Sequence, residues 1–177
     1  MVKHLALAAT FVTLAACNGG EAKHLGNCDA CGGDCLIETF EITDRRHTTA
    51  PVEYDTRPPA GGPHDPCWVP WTIYDHAIPT ERWVHNLEHG GVALLYDCPD
   101  GCDADIATLT AFVQAQPAGR TLLLPYAEMD SRFAAVAWGA RLTSACVDTA
   151  TLQQFFDGAV ARAPENLTAD PAGCPTP

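Results

Sequence analysis

The sequence predicts a small α/β (α+β) domain, a mixed β-sheet packed by helices. Three observations lead there. Helix-period segments alternate with short apolar runs from residue 79 onward. A long Pro/Gly-rich stretch precedes them, "RPPAGGPHDPCWVPWTIYDHAIP", which suits neither a helix nor a central strand. The chain also holds nine cysteines, which suits a disulfide-reinforced exported fold.

The elements follow in order. "LIETFEIT" alternates as one strand, and "PVEYDT" predicts a second. The Pro/Gly-rich stretch carries Trp68, Trp71, Ile73 and Tyr74. That is too much apolar surface for a free linker, so it predicts a fixed loop packed on the core and pinned by Cys67. Thr80 caps a helix with Glu81 in its first turn, and Gly90 and Gly91 end it. "VALLY" is a buried strand. Asp103 or Asp105 caps the next helix, where Ile106, Leu109 and Val113 recur at helical spacing. "TLLLPY" and "FAAVAWGARL" are two further strands, joined as a hairpin through "AEMDS". Asp148 caps the last helix, with Leu152, Phe155, Phe156 and Val160 on one face. The helix between the first two core strands makes those strands parallel.

Residues 1–17, "MVKHLALAATFVTLAAC", have a basic start, an apolar run and small residues before a cysteine. This is an export signal, too short for a permanent span. Its "LAAC" ending is similar to the bacterial lipoprotein signal, in which the cysteine, here Cys17, is lipidated and becomes the new N-terminus; the alternative is a plain secretory signal that ends near a cysteine. Asn18 follows, not the Asp that retains such proteins in the inner membrane of enteric bacteria. The expected location is the bacterial cell envelope, at the outer membrane or periplasmic face, with the membrane as partner through the lipid.

Residues 18–35 are a tether and a Cys-rich segment, and 36–177 form a single globular domain. With Cys17 set aside, eight cysteines remain, read as four disulfides. The compartment favours bridges over zinc for "CDACGGDC". Cys98 and Cys102 can pair with each other or elsewhere.

The formal charge of −12 becomes about −13 once Lys3 leaves with the signal. No basic patch is present to neutralise phosphates, which argues against nucleic acid. Phosphate-loop, dinucleotide and G-x-S-x-G motifs are absent from the sequence.

The chemistry concentrates in "HNLEH". On a helix, His85 and His89 share a face and can chelate one ion, as helical H-x-x-x-H pairs do in zinc sites. They can equally act as a helix C-terminal cap. His64 sits in "GGPHDP", where a stiff loop would hold an imidazole in place. His47 lies upstream. His76 reads as a surface residue, and Met129 as a cap over the core rather than a copper ligand. Glu88 can bind or orient a ligand. H-x-x-E-H also fits an inverted zinc-protease motif with Glu88 as base, but the domain is small for such enzymes. The sequence assigns no catalytic residue.

The series "PPAGGPH", "HNLEHGG" and "LLLPYAEMDSRFAAVAWGARL" resembles the bacterial domain-of-unknown-function family 3105 over roughly residues 45–160. Ala60-Gly61 and the extra cysteines depart from its pattern. The resemblance implies no activity. It does imply that His47, His64, His85 and His89 occupy the family's histidine positions and belong together. The resulting expectation is a transition-metal binder, zinc or copper, using these four histidines. The alternatives are a structural or protein-binding lipoprotein domain, and a zinc hydrolase.

Overall fold

The computed structural model describes residues 25–26, 28–127 and 129–167. The expected signal, Cys17, most of the tether and Cys174 lie outside them.

Five strands form one mixed sheet: β1 (Cys35–Thr39), β2 (Val92–Tyr96), β3 (Thr121–Pro125), β4 (Phe133–Ala137) and β5 (Ala140–Ser144). Among the described residues, three α-helices accompany them: α1 (Thr80–Glu88), α2 (Asp103–Ala115) and α3 (Thr149–Ala159). The strand order is β1-β5-β4-β2-β3. β2 and β3 are parallel, as the intervening helix α2 requires; every other pairing is antiparallel.

Strand β2 shows why the sheet is central. Val92 and Leu94 point to the layer of α2 and α3, with Leu109, Phe112, Phe155 and Phe156. Ala93 and Leu95 point to the other layer, with Trp83, Val84 and Leu87 of α1. A strand covered on both faces reads as a continuous apolar run, which "VALLY" is. The Pro-rich loop completes the α1 layer through Ala60, Val69, Tyr74 and Ile78. Met129 packs on the same layer, as a core cap would.

That loop is fixed by many small attachments. Arg141 donates to Glu38 at 2.6 Å and to the Pro58 carbonyl at 2.9 Å. Gly139 donates to the Ala60 carbonyl at 2.7 Å. Ile73 makes a parallel bridge to Leu123, which covers the outer edge of β3.

Several expectations need correction. "FAAVAWGARL" is two strands, not one. Gly139, at φ 73°, reverses the chain between β4 and β5, and a glycine inside a strand pattern is itself the signal of such a break. The hairpin is therefore β4–β5 and not β3–β4. All five residues of β4 are buried, so it takes an inner place between β5 and β2. "PVEYDT" forms no strand; the Val52 amide instead donates to Glu81 Oε1 at 3.0 Å. Pro79, not Thr80, is the N-cap of α1, and Cys102 precedes α2, with Asp103 and Asp105 in its first turn. Asp148 does cap α3, accepting from the Thr151 amide at 2.7 Å.

Cys28–Cys35, Cys31–Cys146 and Cys98–Cys102 are disulfides. Cys67 is disulfide-bonded as well. Among the described residues, no helix is long and apolar enough to cross a membrane.

Candidate metal centre

Helix α1 is covered on two sides. Trp83, Val84 and Leu87 meet the sheet, and the Pro-rich loop lies over the rest. Asn86 locks the loop down. Its side chain accepts from the Val69 amide at 3.0 Å and donates to the Val69 carbonyl at 2.8 Å. The Asp65 amide donates to the Glu81 carbonyl at 3.2 Å. The helix ends as its glycines predict. The Gly90 amide donates to the Leu87 carbonyl at 2.9 Å, and Gly90 has φ 87°.

Three segments then converge. His85 and Glu88 come from α1. His64 comes from the loop, and His47 from an extended strip that bridges it. The Thr48 amide donates to the His64 carbonyl at 2.7 Å, and the His64 amide to the Arg46 carbonyl at 3.2 Å. The Tyr54 hydroxyl donates to the Pro63 carbonyl at 2.8 Å and steadies the same turn. Burial, aided by the charge of Glu81, raises that phenol's pKa, so it stays a donor. One potential ligand atom from each of His47, His64, His85 and Glu88 lies within 4.8 Å of the others.

The ring tautomers follow from the backbone. His64 Nδ1 donates to the Gly62 carbonyl at 2.8 Å, and His85 Nδ1 to the Asp65 carbonyl at 2.6 Å. A carbonyl can only accept, so each Nδ1 carries a proton. In the neutral ring, Nε2 is then a lone pair, the usual state of a metal-binding histidine. His64 Nε2 faces Glu88 Oε2 at 3.0 Å, and His47 Nε2 stands 3.8 Å from the same oxygen. Arg45 reaches to 3.6 Å from Glu88 Oε1. Burial pushes the His85 pKa down to about 3; the Asp65 hydrogen bond opposes this, and the charges of His89, His64 and His47 add to it. His85 is thus neutral at ordinary pH.

His89 lies beside this group. Its Nε2 is 3.0 Å from His85 Nε2 and 3.3 Å from Glu165 Oε2. The structure therefore brings His47, His64 and His85 together with Glu88, and sets His89 against His85 on one hand and Glu165 on the other. His76 is remote from the group in its contacts, exposed and paired with Asp75.

The family model described as "Protein of unknown function (DUF3105)" matches residues 46–171. The chain belongs to this family. The DUF3105 segment holds His47, His64, His85, Glu88, His89 and Glu165, while Arg45 falls just outside it. The family description names no activity for these residues. No curated protein and no solved structure matches the chain.

Sequence reasoning did not reach Glu165, Asn86 or Arg45, and read Trp68 only as part of the packed loop. Glu165 sits in the polar "APEN" stretch after α3, which no periodicity marks. The chain brings it back because the Ala161 amide donates to the Gly90 carbonyl at 2.8 Å and the Glu165 amide to the Glu88 carbonyl at 3.2 Å. Trp68 lays its ring 5.2 Å from His85 and 4.7 Å from His89, and so walls the histidines.

Proposed function

We propose that this chain is an exported, lipid-anchored protein of the bacterial cell envelope that binds a transition metal through His47, His64, His85 and Glu88. One observation carries the metal reading. His64 Nε2, a lone pair in the neutral ring, faces the Glu88 carboxylate oxygen at 3.0 Å with both side chains buried. Two acceptors at that distance repel unless a cation or a proton lies between them. Three imidazoles and one carboxylate suit zinc and copper alike.

The anchor reading rests on residues 1–17 and on the cysteines. Disulfides persist in exported proteins, and Cys17 ends a lipoprotein-like signal.

A second reading draws on the same contact. If His64 is protonated at both nitrogens, it donates to the Gly62 carbonyl and to Glu88. The cluster is then a structural clasp between loop and helix. The hydrolase reading is weaker, because Glu88 lies inside the ligand group rather than beside it.

The test is elemental analysis of protein exported natively and purified without a His tag, followed by zinc and copper uptake. The expected result is at least one equivalent of metal, reduced in His64→Gln and His85→Gln. A protein that takes up neither ion, yet loses stability in the same variants, would establish the clasp instead.

A further inference from the structure

We infer that the cluster holds two metal positions rather than one. The first is His47, His64 and Glu88. The second is His85, His89 and Glu165. This rests on the metal-binding reading above and changes it in one respect: His85, with a single lone pair to give, moves from the first ligand set to a second position.

His85 commits its Nδ1 to the Asp65 carbonyl at 2.6 Å, so it has one lone pair to give, at Nε2. That nitrogen stands 3.0 Å from His89 Nε2. His89 Nε2 in turn stands 3.3 Å from Glu165 Oε2. Both spacings, which share His89 Nε2, fall in the range of neighbouring ligands around one ion. Two donors bound at zinc's bond length of about 2.0–2.1 Å stand roughly 3.4 Å apart at a tetrahedral angle. The first trio shows the same metric, with 3.0 Å from His64 to Glu88 and 3.8 Å from His47 to Glu88.

Composition and burial repeat as well. Each trio has two imidazoles and one carboxylate. Each has two buried members, His64 with Glu88 and His85 with His89. Each also has a partly exposed third, His47 at 48% and Glu165 at 36% side-chain exposure, through which an ion can enter. Three protein ligands leave a coordination position open on each ion. Two dications bring four positive charges against two carboxylates. The chain's net charge of −12 lowers the cost of collecting them.

The segment that delivers Glu165 is held independently of any ion. Ala161 and Glu165 bond to α1's end through their amides, and Arg120 donates to the His89 carbonyl at 3.2 Å and to Asn166 Oδ1 at 3.1 Å. The second position is therefore assembled by the fold.

Equilibrium dialysis of the chelator-stripped full chain against zinc alone, read by elemental analysis, tests this. Two equivalents are expected in the parent. Glu165→Gln and His89→Gln should each keep one, and His64→Gln should also keep one. Thermal melts in chelator check that the variants fold; Glu165, partly exposed, is the safer substitution. One equivalent in the parent, unaltered by Glu165→Gln and His89→Gln, overturns the second position and leaves the first standing. A single equivalent lost in both His64→Gln and His89→Gln also overturns it, because one ion would then span the cluster. Two equivalents retained by Glu165→Gln and His89→Gln would overturn the ligand assignment. No zinc in any form overturns this inference, and no copper on a repeat of the dialysis with copper overturns the metal reading beneath it as well.

Discussion

His64 Nε2 lies 3.0 Å from Glu88 Oε2, between side chains that are 0% and 2% exposed. The two residues are 24 positions apart and belong to a loop and a helix. Whatever sits between those atoms, ion or proton, ties the loop to the helix.

Replacing Glu88 by Gln keeps the shape and removes the charge. Zinc affinity should fall at least tenfold, since a carboxylate ligand is lost. In chelator the variant should also lose about 1–3 kcal/mol of stability, the scale of a buried hydrogen bond to a charged group. Dialysis and urea unfolding, each with and without zinc, measure the two effects. Equal destabilisation in both conditions, with zinc binding unchanged, would contradict the metal reading.

Metal should stabilise the fold by mass action. At free zinc one hundred times the dissociation constant, the gain is about 2.7 kcal/mol per site. A melting temperature that rises with zinc and returns with chelator is the expected outcome. A concentration-independent melting temperature would count against binding.

Acid should weaken the metal-free protein through His85. Its folded pKa is about 3, chiefly because it is buried. In the unfolded chain it titrates near the ordinary value of about 6.5. Between those values the unfolded chain takes up the proton and the folded chain does not. The contribution is therefore complete above about pH 6.5 and declines as pH falls toward 3. Urea midpoints at pH 7 and pH 5 in chelator should differ more in the parent than in His85→Gln; identical slopes would refute the assignment.

Asn86→Ala should cost about 2–4 kcal/mol, because it strands a buried amide and carbonyl of Val69. It should weaken zinc binding too, by loosening the loop that carries His64. Normal zinc affinity in a destabilised variant would show that the loop holds its ligand without this clamp.

Gly91→Ala places a methyl 2.0 Å from Trp71 Cη2 and 2.1 Å from Cζ3. The indole must move, at a cost of about 1–3 kcal/mol or more. A shift in tryptophan emission with a lower unfolding midpoint is expected. An unchanged spectrum and midpoint would mean the ring does not rest on Gly91.

Much of this fold was legible in the sequence where local chemistry decides. Gly90 after α1, Asp148 before α3 and the parallel β2–β3 pair all follow from caps and connection length. The site was partly legible for the same reason: His85, Glu88 and His89 share a helix face by spacing alone. His64 could be singled out because its prolines and glycines imply a fixed turn. What failed was long-range. The inner place of β4 depends on which neighbours bury its two faces, and a run of alanines does not announce that. Glu165 reaches His89 only because amides of residues 161 and 165 bond to the end of α1. Backbone donors leave no trace in residue type.

The strand register also divides the molecule into two poles. Tyr96, Phe133, Ser144 and Cys35 stand at one end of their strands, and Val92, Ala137, Ala140 and Thr39 at the other. The three described cystine pairs gather at the first pole, through Cys35, Cys98 and Cys146. The histidines sit at the second, where His64 meets Trp138 beside the β4–β5 turn. One end is thus stitched by bonds that form once, during maturation. The other, where Cys67 adds a bridge of its own beside Asp65, is drawn together mainly by contacts that can be made and unmade. A change of partner at the histidine end can therefore be absorbed locally, while the sulfur-braced end keeps the sheet in register.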